Sequence, residues 1–165
     1  MENTLETEHF YVIGVNSIRR RYHTRGHISL SQIQEIDLKL QQAPAHKIKL
    51  IAAHQPFYTP PDHSHGVKDC PMLGRIALEQ WSQHGLNGLL HGHLHHAAVY
   101  DLNQIYQLGV SHPVLDIHAG TATSYRLHAG LPNSLNIILP NADVQHLSFN
   151  AETNHFELMQ QNTSD

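Results

Sequence analysis

An α/β layer architecture with a mixed sheet and a β-rich C-terminal part is predicted by three features of the chain. Up to Leu102, aromatic and β-branched runs alternate with stretches of helical periodicity. Beyond Leu102 that periodicity is lost, and short apolar runs follow one another between Gly, Pro and Asn turns. Two of the early apolar runs also lead straight into histidines: one into His54, the other into His91–His96. The 165 residues suffice for one domain with a real core, and no repeat or low-complexity tract divides residues 1–165.

Each element follows from its residues. Phe10 to Val15 reads as a strand, and a basic loop runs on to His27. Ser29 with Gln32 has the form of a capping box, so a helix starts there, with Leu30, Ile33, Ile36, Asp37 and Leu40 on one stripe. It stops before Pro44, which disfavours helix in the residue ahead of it. Ile48 to Ala53 is a short strand ending at His54, and Pro56, Pro60 and Pro61 hold the irregular loop that follows. Pro71 suits the first turn of a second helix, with Leu73, Ile76, Ala77 and Trp81 as its buried stripe and Gly85 as its stop. Leu86–Leu90, Ala97–Leu102, Val114–His118, Ser134–Leu139, Val144–Phe149 and Asn154–Leu158 read as the remaining strands.

Bulk properties exclude several classes. Asp and Glu outnumber Lys and Arg 14 to 10, and there is no basic stripe of the kind nucleic-acid binding needs. Arg19, Arg20, Arg21 and Arg25 read as a solvated loop. No apolar run reaches the ~20 residues of a membrane helix. Cys70 stands alone, so there is no internal disulfide, and the acidic start is unlike a signal peptide. A cytoplasmic protein is expected, with no nucleic-acid or membrane partner.

The chemistry lies in the 17 histidines. Histidine is the commonest metal ligand, but most scattered rings are solvated. The informative ones sit just past strand ends, where open α/β sheets place their ligands. His54 follows one strand and precedes a stiffening proline. His93 and His95 follow another, with Gly92 allowing close backbone approach or positive φ. Imidazoles so placed suit Zn²⁺, Mn²⁺, Fe or Co²⁺. His91 and His96 are read as exposed flanks, and His63 and His65 as residents of the proline-rich loop beside the site.

Four blocks together resemble the calcineurin-like metallophosphoesterases, in particular the C-terminal half of the bacterial cyclic-nucleotide phosphodiesterase-like branch. They are Val12–Ser17, Leu50-Ile-Ala-Ala-His-Gln-Pro56, Leu89-Leu-His-Gly-His-Leu-His95, and His118–Arg126 followed by Pro132–Asn136. The resemblance implies the C-terminal portion of a four-layer α/β/β/α sandwich and hydrolysis of phosphate mono- or diesters at a binuclear centre. It implies His54 and His93 on one ion and His95 on the other.

The same family builds the rest of its centre from Asp-x-His, Gly-Asp-x-x-Asp and Gly-Asn-His motifs, and this chain has no Gly-Asp or Gly-Asn dipeptide. Its one Asp-x-His, Asp116-Ile117-His118, lies after the Gly-His-x-His block and is read as a coincidence. Three neutral imidazoles bring no negative charge, whereas two close divalent cations need carboxylates to offset their repulsion. The chain is therefore expected to be inactive alone. Its expected partners are a phosphate-ester substrate and either a polypeptide supplying the N-terminal half or a second copy. The alternatives are a histidine-rich metal-binding protein without catalysis, or an interaction module that kept the fold.

Overall fold

The computed structural model describes residues 3–22, 25–61, 66–125, 127 and 130–159. The order is β1 (Thr4–Glu6), β2 (Phe10–Gly14), α1 (Leu30–Gln42), β3 (Ile48–Ala52), α2 (Gly74–Ser82), β4 (Leu86–His91), β5 (Ala98–Asp101), α3 (Leu102–Tyr106), β6 (Leu115–His118), β7 (Ser134–Ile138), β8 (Val144–Asn150) and β9 (His155–Leu158). A six-stranded mixed sheet runs β1-β2-β3-β4-β6-β5, and a three-stranded antiparallel sheet runs β7-β8-β9. In the large sheet β2, β3, β4 and β6 are parallel, while β1 and β5 are antiparallel edges. The α/β class with a β-rich C-terminal part is what the residue pattern predicted.

The helices cover one face of the large sheet. Ile13, Ile51 and Leu89 stand side by side on β2, β3 and β4. They pack against Ile33, Ile36 and Leu40 of α1 and Ala77, Leu78 and Trp81 of α2. Each fully buried Leu or Ile among them stabilises the fold by about 1.5–3 kcal/mol before entropy is counted. Trp81 is fully buried because its indole N–H finds a partner, the Ile33 carbonyl at 3.0 Å. The capping box forms as read from Ser29 and Gln32. The opposite face meets the small sheet across a cleft of about 400 Å³ lined by Leu90, Ile117, Leu135 and Ile138. Asn136 Nδ2 ties that sheet to the end of β6 through the His118 carbonyl at 2.8 Å.

Three local expectations are corrected. Leu30, in the first turn of α1, is 60 % exposed. In α2 the stripe is Gly74, Ala77, Leu78 and Trp81, at helical spacing, so Ile76 falls on the outside at 50 % exposure. The chain after Leu102 does form a helix, the short α3, capped by the Asp101 carboxylate on the amides of Asn103 and Gln104. The acidic start contributes β1, which zips antiparallel onto β2. Among the described residues no helix is long and apolar enough to cross a membrane.

Candidate metal centre

β3 and β4 are parallel neighbours, so both deliver their next residues to the same end of the sheet. The pairing continues past the strands: the Ala53 amide donates to the Leu90 carbonyl at 2.9 Å and the His93 amide to the His54 carbonyl at 3.2 Å. The two side chains therefore meet. His54 Nε2 lies 3.2 Å from His93 Nδ1, with the rings edge-on at 80°. Two nitrogens at ~2.0–2.1 Å from one tetrahedral zinc are about 3.3 Å apart, so this spacing suits a shared ion.

Neighbouring groups hold the pair. Ser17, buried under β3, accepts the amides of His54 and Gln55 at 3.3 Å and donates to Gln55 Oε1 at 2.6 Å. On the far side of His93, Nε2 lies 3.0 Å from Asp69 Oδ2. A carboxylate behind a histidine fixes its tautomer and raises its basicity, leaving the other nitrogen to a metal. Asp69 closes a short 3-10 turn, Gly66–Asp69, whose last carbonyl accepts the Gly26 amide at 2.7 Å. A Cβ on Gly26 would stand 2.5 Å from that carbonyl oxygen, so only glycine lets the two segments meet. Partial burial, then the nearby imidazoles of His93, His95 and His91, pull the His54 pKa below its ordinary 6.5. At neutral pH the ring is thus uncharged, the state that binds metal.

His95 goes elsewhere. Its backbone has φ +53°, and its Nδ1 contacts Thr121 Oγ1 at 3.0 Å. Among the described residues it forms no three-donor cluster with His54 and His93. His63, His65 and Arg126 lie outside the described residues. Arg20 and Arg21 are exposed, and Arg19 leans onto Gln32 Oε1 at 2.8 Å.

A second cluster forms where none was expected. His91 is 4 % exposed, not a surface flank, because it still belongs to β4 and faces the helices as Leu89 does. Across the parallel pairing Leu89 lies beside Asp116 and His91 beside His118. The apolar row Ile13–Ile51–Leu89 thus ends in a carboxylate. Asp116, with no exposed surface, has Oδ1 3.0 Å from His91 Nε2 and Oδ2 2.8 Å from His118 Nε2. Burial alone would push its pKa up, but the charge of His91 and the bond to His118 overcome that and hold it below the ordinary carboxylate range. Asp116, His91 and His118 present ligand atoms all within 4.8 Å of one another, an arrangement able to hold a metal ion. Asp116-Ile117-His118 thus meets His91 rather than any N-terminal motif. Alternation at period two was its signal in the sequence; Asp69 had none.

No family model and no curated protein matches the chain. Among solved structures it is similar to a candidate 5′-nucleotidase from Staphylococcus aureus, solved in complex with alpha-ketoglutarate, at 14 % identity and a TM-score of 0.45. The match covers 95 % of this chain and 28 % of the other, so the chain spans just over a quarter of that protein's length. A likeness this distant leaves the activity to be argued from the residues themselves.

Proposed function

We propose that this chain carries the strand-end histidine half of a metal-dependent phosphoesterase centre within a four-layer sandwich. The reading rests above all on one observation: His54 Nε2 and His93 Nδ1 stand 3.2 Å apart at the ends of adjacent parallel strands, with Asp69 behind His93. A divalent ion held there supplies Lewis acidity toward a phosphoryl oxygen. Asp69 keeps the proton of His93 on Nε2 and so turns the Nδ1 lone pair outward. His54, exposed and neutral, completes the pair at the mouth of the site. His95, held on Thr121, is the donor left for a second ion.

The residues fit one ion and not two. Asp69 is spent on His93, and Asp116 lies buried among other partners. A second cation beside the first needs carboxylates that close the gap between them, so a polypeptide with the missing acidic motifs completes the centre. The isolated chain with Mn²⁺ is expected to leave p-nitrophenyl phosphate and its bis ester intact. Mixing it with a polypeptide bearing Asp-x-His, Gly-Asp-x-x-Asp and Gly-Asn-His motifs should give turnover that His93→Ala abolishes. Robust turnover by the isolated chain would sink the split centre, and turnover indifferent to His93→Ala would sink the site. The second reading, a metal-binding protein without catalysis, is favoured by the buried cluster of His91, Asp116 and His118.

A further inference from the structure

We propose that His91, Asp116 and His118 form a buried structural zinc site, separate from the His54–His93 pair and independent of any phosphoesterase activity. Three observations carry it. The donors lie where strand pairing forces them together: His91 faces His118 across β4 and β6, and Asp116 lies one step back on the same face as His118. Their spacings, 3.0 Å and 2.8 Å from carboxylate oxygen to imidazole nitrogen, approach the ~3.3 Å separation of neighbouring ligands around tetrahedral zinc. And the hydrogen bonding leaves donors over. His91 Nδ1, His91 Nε2 and Asp116 Oδ1 are buried polar atoms with no hydrogen-bond partner among the described residues. The 3.0 Å approach of His91 Nε2 to Asp116 Oδ1 is thus a charge contact rather than a well-aligned hydrogen bond.

Such a cluster is costly without an ion. Without one, an imidazolium must supply the charge that the buried carboxylate needs, and buried nitrogens left without a hydrogen bond forfeit their hydration. Zinc answers both demands at once. Two imidazole nitrogens and the two oxygens of Asp116 supply four donor atoms, in a site closed to solvent as structural zinc sites are. The ring contacts agree with a tight enclosure: His91 and His118 centroids are 3.9 Å apart, and Tyr100 closes one side at 5.1 Å from His118. An ion here fastens the last residue of β4 to β6, directly beneath the turn that carries His93 and His95.

The test uses the full chain with the strand-end histidines removed, His54→Ala/His93→Ala/His95→Ala, titrated with Zn²⁺ against a chelating indicator so that weak surface histidines do not compete. One tight equivalent should remain, and zinc should raise the unfolding midpoint of this variant. Adding the near-isosteric Asp116→Asn should weaken that equivalent at least about a hundredfold. Because that change could unfold the chain, a second reading is taken on the triple variant itself. The ring resonances of His91 and His118 should shift in slow exchange on zinc addition. Loss of the tight equivalent in the triple variant, its indifference to Asp116→Asn in folded protein, or shifts confined to other histidines would each overturn the proposal.

Discussion

His91 and His93 are separated by one glycine, yet they end in opposite surroundings. His91 closes a strand and is 4 % exposed, facing the helices beside Asp116 and His118. His93 has entered the turn and meets His54 at the open end of the sheet, with Asp69 behind it. The same side chain thus serves a buried, charge-demanding cluster in one place and a solvent-reachable donor pair in the other. What separates them is where the strand stops, since alternation holds only while the chain stays extended. Burial then sets the energetics: the inner cluster bears on stability, the outer pair on ligand affinity.

The sharpest way to break this contrast is Asp116→Ala. It strips the buried imidazoles of their carboxylate and should cost about 3–5 kcal/mol of folding stability, read as a lower urea midpoint. His54→Ala, at an exposed position, should stay within about 0.5 kcal/mol of the parent. Equal losses from the two would erase the distinction.

Next in size is Gly88→Ala. Its Cβ would stand 2.8 Å from the Leu115 carbonyl oxygen, a backbone atom of β6 that cannot rotate away. Strands β4 and β6 must part, at about 1–3 kcal/mol, and the inner cluster should loosen while the His54–His93 pair is spared. Thermal unfolding beside zinc titration of the same variant would read both.

Asp69→Asn should act the other way. The fold should be nearly unchanged, while affinity for a divalent ion at His93 falls about tenfold to hundredfold as the ring loses its orienting carboxylate. Calorimetric titration with Mn²⁺ checks it.

The smallest effect is that of pH. His54 has a lowered pKa, so the folded chain binds this proton less readily than the unfolded chain does. Stability should therefore rise slightly as pH climbs toward 6.5 and fall as pH drops below it, a slope that His54→Gln removes. Asp116 acts in a more acid window. Its carboxyl is held low in the fold, so its contribution is complete above the ordinary carboxylate value of 3.8 and is lost as pH falls through the lower folded value. In Asp116→Asn that acid limb should disappear, while the limb near neutrality remains.

Much of this was legible in the residues. The alternation of apolar runs with capped, periodic segments gave α1, β3 and β4 almost to the residue, because Ser29, Pro44 and Gly85 mark their limits chemically. The meeting of His54 with His93 depended on β3 and β4 being neighbours, which no local pattern states. The five residues of α3 are too few for a helical period to register. The burial of His91 hinges on β4 running one residue past Leu90, which no residue marks. Asp69 was invisible, since its approach to His93 rests on a glycine contact across the fold at Gly26.

The central claim is that the strand-end pair is where an external divalent ion is held. Its most direct test counts Mn²⁺ equivalents bound by the full chain and by His54→Ala/His93→Ala, both verified as folded. The pair predicts that the variant loses one equivalent and keeps its unfolding midpoint within about 2–4 °C of the parent. An unchanged isotherm would contradict it, placing the chain's metal chemistry elsewhere among its histidines.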